Sequence, residues 1–213
     1  LFSSDVETTE ETLARTRIII EEILAYNDER FKVMVAPHAP YSCSKDLLKG
    51  SLKLAQELQL KLHIHVAETQ AENSMILERY GKRPLAFLKD LGYLEHDGVF
   101  AHGVELNERE IAELAVSNIH IAHNPISNLK LASGIAPVTD LVQTGVIVGL
   151  ATDSVASNNN LDMFEESRTA ALLQKMRTGD ATQFTIEQAL KTMTIEGAKA
   201  LGMDDQIGSL EVG

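Results

Sequence analysis

The 213-residue chain has a single cysteine, Cys43, so no internal disulfide can form and a reducing compartment fits its cysteine usage. Long apolar runs are missing, and nothing approaches the roughly 20 residues of a membrane-spanning helix. No basic segment followed by an apolar stretch opens the chain, so no signal peptide is expected and the cytoplasm is the expected location. Basic residues are scarce beside acidic ones, 19 against 31, which gives a formal net charge of -12 and a pI near 5.0. That balance argues against a nucleic-acid backbone or an anionic membrane as the main partner. A P-loop, a G-x-G-x-x-G turn, a fixed-period repeat and low-complexity segments are all absent. What is present, 44% hydrophobic and 23% charged residues, suits a globular domain that handles small molecules.

Periodicity divides the chain into alternating elements. Leu13, Ile20, Ile23 and Leu24 recur at helical spacing in Leu13 to Ala25, and Thr8 with Glu11 forms a capping-box pattern ahead of them. FKVMVAPHAPY reads as a buried strand ending at Pro37, and Ser44 to Leu58 as a helix capped by Ser44. KLHIHVAET, GVFAHGVEL, NIHIAHNP and GVIVGLATD read as further strands. Helices are expected over Asn73 to Leu91, broken near Gly81 and Pro84, and over Glu108 to Val116. Others are expected over Val138 to Thr144, Leu161 to Met176 and Thr185 to Leu201. SNLKLASGIAP reads as a loop. Short apolar strands alternating with helices imply an α/β fold with parallel strands.

A doubly wound sheet and part of an eight-stranded β/α barrel both fit that order. His38, Glu68, His102, His123 and Asp153 each lie at or just past the C-terminal end of a different expected strand. A barrel builds its site from many strand ends on one face, whereas an open sheet concentrates it at one switch point. The distribution favours the barrel. Within KLHIHVAET, His63 and His65 share a face by the two-residue period, with His65 nearer the mouth and Glu68 just beyond it. Imidazole and carboxylate are ligands for zinc and similar divalent ions, and a neighbouring carboxylate can move a proton. His63, deeper on the strand, reads as packing, as does His120, while His96 in EHDG reads as solvated. Cys43, Met163, Met176 and Met193 also read as packing. Ser127 and Asn128 bond locally or to a ligand, and Ser157 and Asn158 contact a substrate or cap a helix; both choices stay open.

The set PHAPYSCS, HIHVAETQAEN, AHG, HNPISNLKLASGIAPV and TDSVASNNNLDMF resembles the amidohydrolase superfamily, from about Phe31 onward. Within it the chain most resembles the 5-methylthioadenosine/S-adenosylhomocysteine deaminases, near the chlorohydrolase and guanine deaminase branches. The resemblance implies a metal-dependent (β/α)8 barrel of amidohydrolase type, present here as roughly strands 4 to 8 with their helices. Residues 1–205 would be that partial barrel, and residues 206–213 the start of a return into a small β-sandwich. It implies one divalent metal, zinc with iron or manganese as alternatives, held by His65 and Asp153.

Glu68 would carry a proton from the attacking water to the purine ring. His102 would orient or polarise the attacking oxygen, Asp153 would accept the proton of the water, and His38 would contact the substrate. Glu68, Asp153 and Ser157 would also line the substrate site. The implied reaction is hydrolytic deamination of a purine nucleoside with release of ammonia. Its alternatives are another amidohydrolase (a guanine or cytosine deaminase, or a triazine chlorohydrolase) and a non-catalytic binding fragment. A homo-oligomer is expected. The family's paired histidines after the first strand have no counterpart here, so the chain reads as part of a longer enzyme, weak or inactive alone.

Overall fold

The computed structural model describes residues 1–3, 5–28 and 30–212. In chain order the elements are α1 (Thr9–Ala25), α2 (Lys45–Leu58), β1 (Leu62–Val66), α3 (Gln70–Tyr80), α4 (Pro84–Asp90) and β2 (Gly98–His102). They continue with α5 (Glu108–Ala115), β3 (Ile119–His123), α6 (Pro125–Lys130), α7 (Val138–Gln143) and β4 (Val148–Leu150). The chain closes with α8 (Val155–Asn158), α9 (Met163–Thr178), α10 (Ile186–Met193) and α11 (Ile195–Leu201). Among the described residues the four strands form one parallel sheet in the order β1-β2-β3-β4, each joined to the next through helix. This is the α/β barrel-type arrangement expected from the sequence, in part of its circumference.

Local chemistry sets the elements. Thr8 caps α1, and the Glu11 carboxylate accepts from the Thr8 backbone N–H, completing the expected capping box. Ser44 caps α2, whose Leu47, Leu48, Leu52 and Ala55 fall on one buried stripe. Thr69 caps α3 and starts it three residues ahead of the expected Asn73. The sheet has two unlike faces. Leu62, Ile64 and Val66 of β1 are fully buried against helices, while His63 and His65 point the other way and stay half-buried. Register carries the histidine face across the sheet, from His65 to Ala101, Ala122 and Gly149. There α11 packs on β4, so closely that a Cβ on Gly149 would lie 2.9 Å from Gly197 Cα.

Several expectations are corrected. The segment from Phe31 to Ala39 forms no regular strand and, among the described residues, makes one isolated bridge, Val35 to Leu62. Pro37, the expected end of the strand, has no N–H to donate, so the ladder cannot run on past Val35. The segment still lies along β1, because His65 N–H donates to the His38 carbonyl at 3.0 Å. The expected loop after Asn124 begins instead with α6, where Pro125 at the first helical position presets the backbone. GVIVGLATD yields only the three-residue β4. His96 is half-buried and donates to the Leu60 carbonyl at 2.8 Å, so it is not simply solvated. Met176 is exposed, whereas Cys43 is buried and Met163 and Met193 pack on the core as expected. No helix is long and apolar enough to cross a membrane among the described residues.

Candidate active site

The C-terminal ends of β1, β2 and β4 converge. His65 projects from β1, and its Nδ1–H donates to the His38 carbonyl at 2.6 Å. That bond leaves Nε2 as the free lone pair of the ring. The His38 ring lies 4.8 Å from that of His65, between Phe2 stacked at 4.3 Å and Tyr41 edge-on at 5.8 Å. His38 Nδ1 also shares a 2.7 Å hydrogen bond with the Ser42 hydroxyl.

His102 enters by a route that alternation does not give. Its register partner is Val66, which faces the helices, so a regular strand would turn His102 away from His65. The backbone at His102 takes φ +72°, followed by Gly103 at +59°, and the ring swings over to stack on His65 at 5.3 Å. Ala67 and Asp153 are also left-handed, at φ +50° and +60°. Three non-glycine residues in this region, each costing about 1–2 kcal/mol, flank one spot, which is where strained backbone is found when a site demands it. Glu68 Oε2 stands 3.9 Å from His102 Nε2. Asp153 accepts from the Ser127 hydroxyl at 2.6 Å and from Ser154 N–H at 2.7 Å.

The electrostatics follow from this packing. Burial lowers the His102 pKa against the raising effect of Glu68, so the neutral ring is favoured. Burial also lowers His38 and His63, with the neighbouring His65 adding to it. At Asp153 burial works upward, but the Ser127 and Ser154 hydrogen bonds and the nearby His102 outweigh it and hold the carboxyl low.

His38, His65, Glu68, His102 and Asp153 are thus gathered around the sheet mouth. Ser157 sits beside Asp153, with its hydroxyl donating to the Ser154 carbonyl at 3.1 Å. His123 is not brought in. It lies on the helix-facing side of β3, fully buried; among the described residues neither ring nitrogen has a hydrogen-bond partner, and its pKa falls to about 3 through burial and the proximity of His102. His120 lies toward Asp97, 4.0 Å away, at the opposite end of its strand from the mouth.

Sequence reasoning missed two supports. Glu72, buried on α3, accepts from the Glu68 backbone N–H at 2.8 Å; the Thr69-x-x-Glu72 capping pattern could have pointed to it. Glu166, buried on α9, accepts from Ile126 N–H at 3.2 Å and from the Asn158 amide, tying α6 to the segment that carries Asp153. No sequence pattern signals that link.

His65 Nε2 and the Asp153 carboxylate are donors of the type zinc takes. Among the described residues, no cluster of three or more such side chains is arranged to hold a metal ion. The donor chemistry fits a divalent metal, and a closed shell requires donors beyond these two.

Polar residues gathered at the C-terminal ends of several parallel strands are the arrangement of a barrel-type site. The chain belongs to the amidohydrolase family, whose sequence model matches residues 3–213. It is 45% identical over 209 residues to the 5'-deoxyadenosine deaminase of Methanobrevibacter smithii, covering 98% of this chain and 48% of that relative. It is 51% identical over 189 residues to a 5-methylthioadenosine/S-adenosylhomocysteine deaminase of Bacillus thuringiensis, covering 88% of this chain and 43% of the relative. A solved adenosine deaminase from Xanthomonas campestris with bound zinc superposes with a TM-score of 0.90 at 39% identity. The superposition covers 96% of this chain and 46% of that one. The chain therefore spans about half the length of the relatives it matches.

Proposed function

We propose that this chain supplies the Glu68, His102 and Asp153 side of a metal-dependent deaminase that hydrolyses the exocyclic amine of a purine nucleoside, 5'-methylthioadenosine or S-adenosylhomocysteine. The observation that carries the reading is the meeting of His65 and His102, rings 5.3 Å apart, with Glu68 at the same mouth. The curated relatives at 45% and 51% identity are both deaminases of nucleosides, which favours this substrate class over triazines or free bases.

His65 and Asp153 would hold the metal, with zinc favoured by the zinc in the solved Xanthomonas relative. Bound there, zinc would supply Lewis acidity and lower the pKa of water towards about 7. Glu68 takes a proton from the attacking water and delivers it to the purine ring nitrogen. His102, with Nε2 3.9 Å from Glu68 Oε2, would accept a hydrogen bond from the attacking water and orient it. Asp153 takes the second proton and passes it to the departing ammonia. His38 faces the same mouth and would contact the sugar, with Ser157 beside Asp153 as a further substrate contact.

Residues 1–205 would be barrel and 206–213 the start of a return into a small β-sandwich. A cytoplasmic homo-oligomer belongs to the same reading.

The test is ammonia release from 5'-methylthioadenosine, compared with guanine and a chlorotriazine, by the protein that contains this chain. Turnover of the nucleoside should fall about 10²- to 10⁴-fold in Glu68→Gln, the usual contribution of a positioned acid-base group. Intact turnover in that variant would overturn the reading.

A further inference from the structure

Asn128 lies on α6, far in sequence from β2, and its side chain is buried at 1% exposure. Its Oδ1 is 2.9 Å from His102 Nδ1. An amide oxygen only accepts, so the ring nitrogen facing it must carry the hydrogen. His102 then presents a bare Nε2 toward Glu68 and the site mouth.

The contact matters because of the backbone. His102 is the last residue of β2, and at φ +72° its ring is no longer turned by the regular alternation of the strand. Asn128 supplies what the strand cannot. Its own helix is fixed in turn: Ser127 next to it holds Asp153 at 2.6 Å, and the Ile126 N–H is held by buried Glu166. Asn128 also accepts at its main chain, where Ser133 N–H bonds its carbonyl at 2.8 Å. One short helix therefore sets the ring of one site residue and the carboxylate of another.

We propose that Asn128 is a positioning residue that selects the Nδ1–H tautomer of His102, leaving Nε2 as the hydrogen-bond acceptor that orients the attacking water. The proposal deepens the deaminase reading by giving His102 a defined acceptor atom. A neutral amide in this place orients the ring without adding charge, unlike a carboxylate partner.

The experiment is ¹⁵N NMR of the histidine rings in this chain at alkaline pH, which distinguishes the nitrogen that bears hydrogen from the one that does not. In the unsubstituted chain, His102 Nδ1 should resonate at the upfield, hydrogen-bearing position and Nε2 at the downfield one. Asn128→Leu should exchange the two or average them. Asn128→Asp, which keeps an acceptor, should restore the original pattern. Backbone amide spectra report whether each variant is folded, and the unsubstituted chain alone suffices if one is not. Nε2–H on His102 in the unsubstituted chain, or an unchanged pattern in folded Asn128→Leu, would overturn the proposal. Neither result depends on turnover, so failure here is separate from failure of the Glu68→Gln assay.

Discussion

Glu72 offers the sharpest stability prediction. Its side chain is 1% exposed, one carboxylate oxygen accepts from the Glu68 N–H at 2.8 Å, and the other has no hydrogen-bond partner among the described residues. Burial dominates and pushes its pKa from 4.5 up to about 7, with the hydrogen bonds from Glu68 and Ala67 only partly opposing it. Between those two values the folded chain holds a proton that the unfolded chain has released. The contribution of Glu72 to stability is therefore greatest below pH 4.5, falls as pH rises through the window, and levels off above about 7.

At about 1.4 kcal/mol per pH unit, the loss attributable to Glu72 is about 3 kcal/mol. Glu72→Gln removes the titration while its amide oxygen still accepts from Glu68. Urea unfolding of both proteins on either side of the window isolates the effect, because every other titrating group cancels in the difference. The variant should match or trail the unsubstituted chain in acid and exceed it by about 2–3 kcal/mol above neutrality, after allowing about 1 kcal/mol for a weaker hydrogen bond. Parallel pH curves would refute the reasoning and mean that Glu72 is charged and solvated in the folded chain.

Two further outcomes follow from packing. Gly149→Ala drives a methyl group into the backbone of Gly197, which has no flexible end to yield, and should cost about 1–3 kcal/mol in chemical denaturation. Glu110 is buried and accepts from Arg83 Nε and Nη2, both at 2.9 Å, and from Asn107 N–H at 3.0 Å. Glu110→Ala should cost about 2 kcal/mol, less than a fully buried pair because Arg83 is about a third exposed; no change in unfolding midpoint would show the pair to be inert.

Much of this was legible along the chain. The period-two runs of KLHIHVAET and NIHIAHNP became strands, and the caps at Thr8 and Ser44 became helix starts. These signals are local, and local chemistry decides them. The expected strand from Phe31 to Pro37 is reduced to one bridge, at Val35, because Pro37 has no N–H with which to continue the ladder along β1. The site was legible as a set of residue types at strand ends, but not as geometry. The turn of His102 toward His65 rests on one positive φ, and period-two reasoning places that side chain on the wrong face. The contacts of Asn128 and Ser127 span 26 residues, so no spacing rule announces them.

The central claim is that His65 and Asp153 form one divalent-metal site beside Glu68 and His102. Manganese is the direct probe, since its paramagnetism broadens nearby NMR signals even when binding is weak. On titration into this chain, the signals of residues around His65, Glu68, His102 and Asp153 should broaden first, and His65→Ala should abolish that pattern. Broadening scattered over surface carboxylates, or unchanged in His65→Ala, would contradict the account.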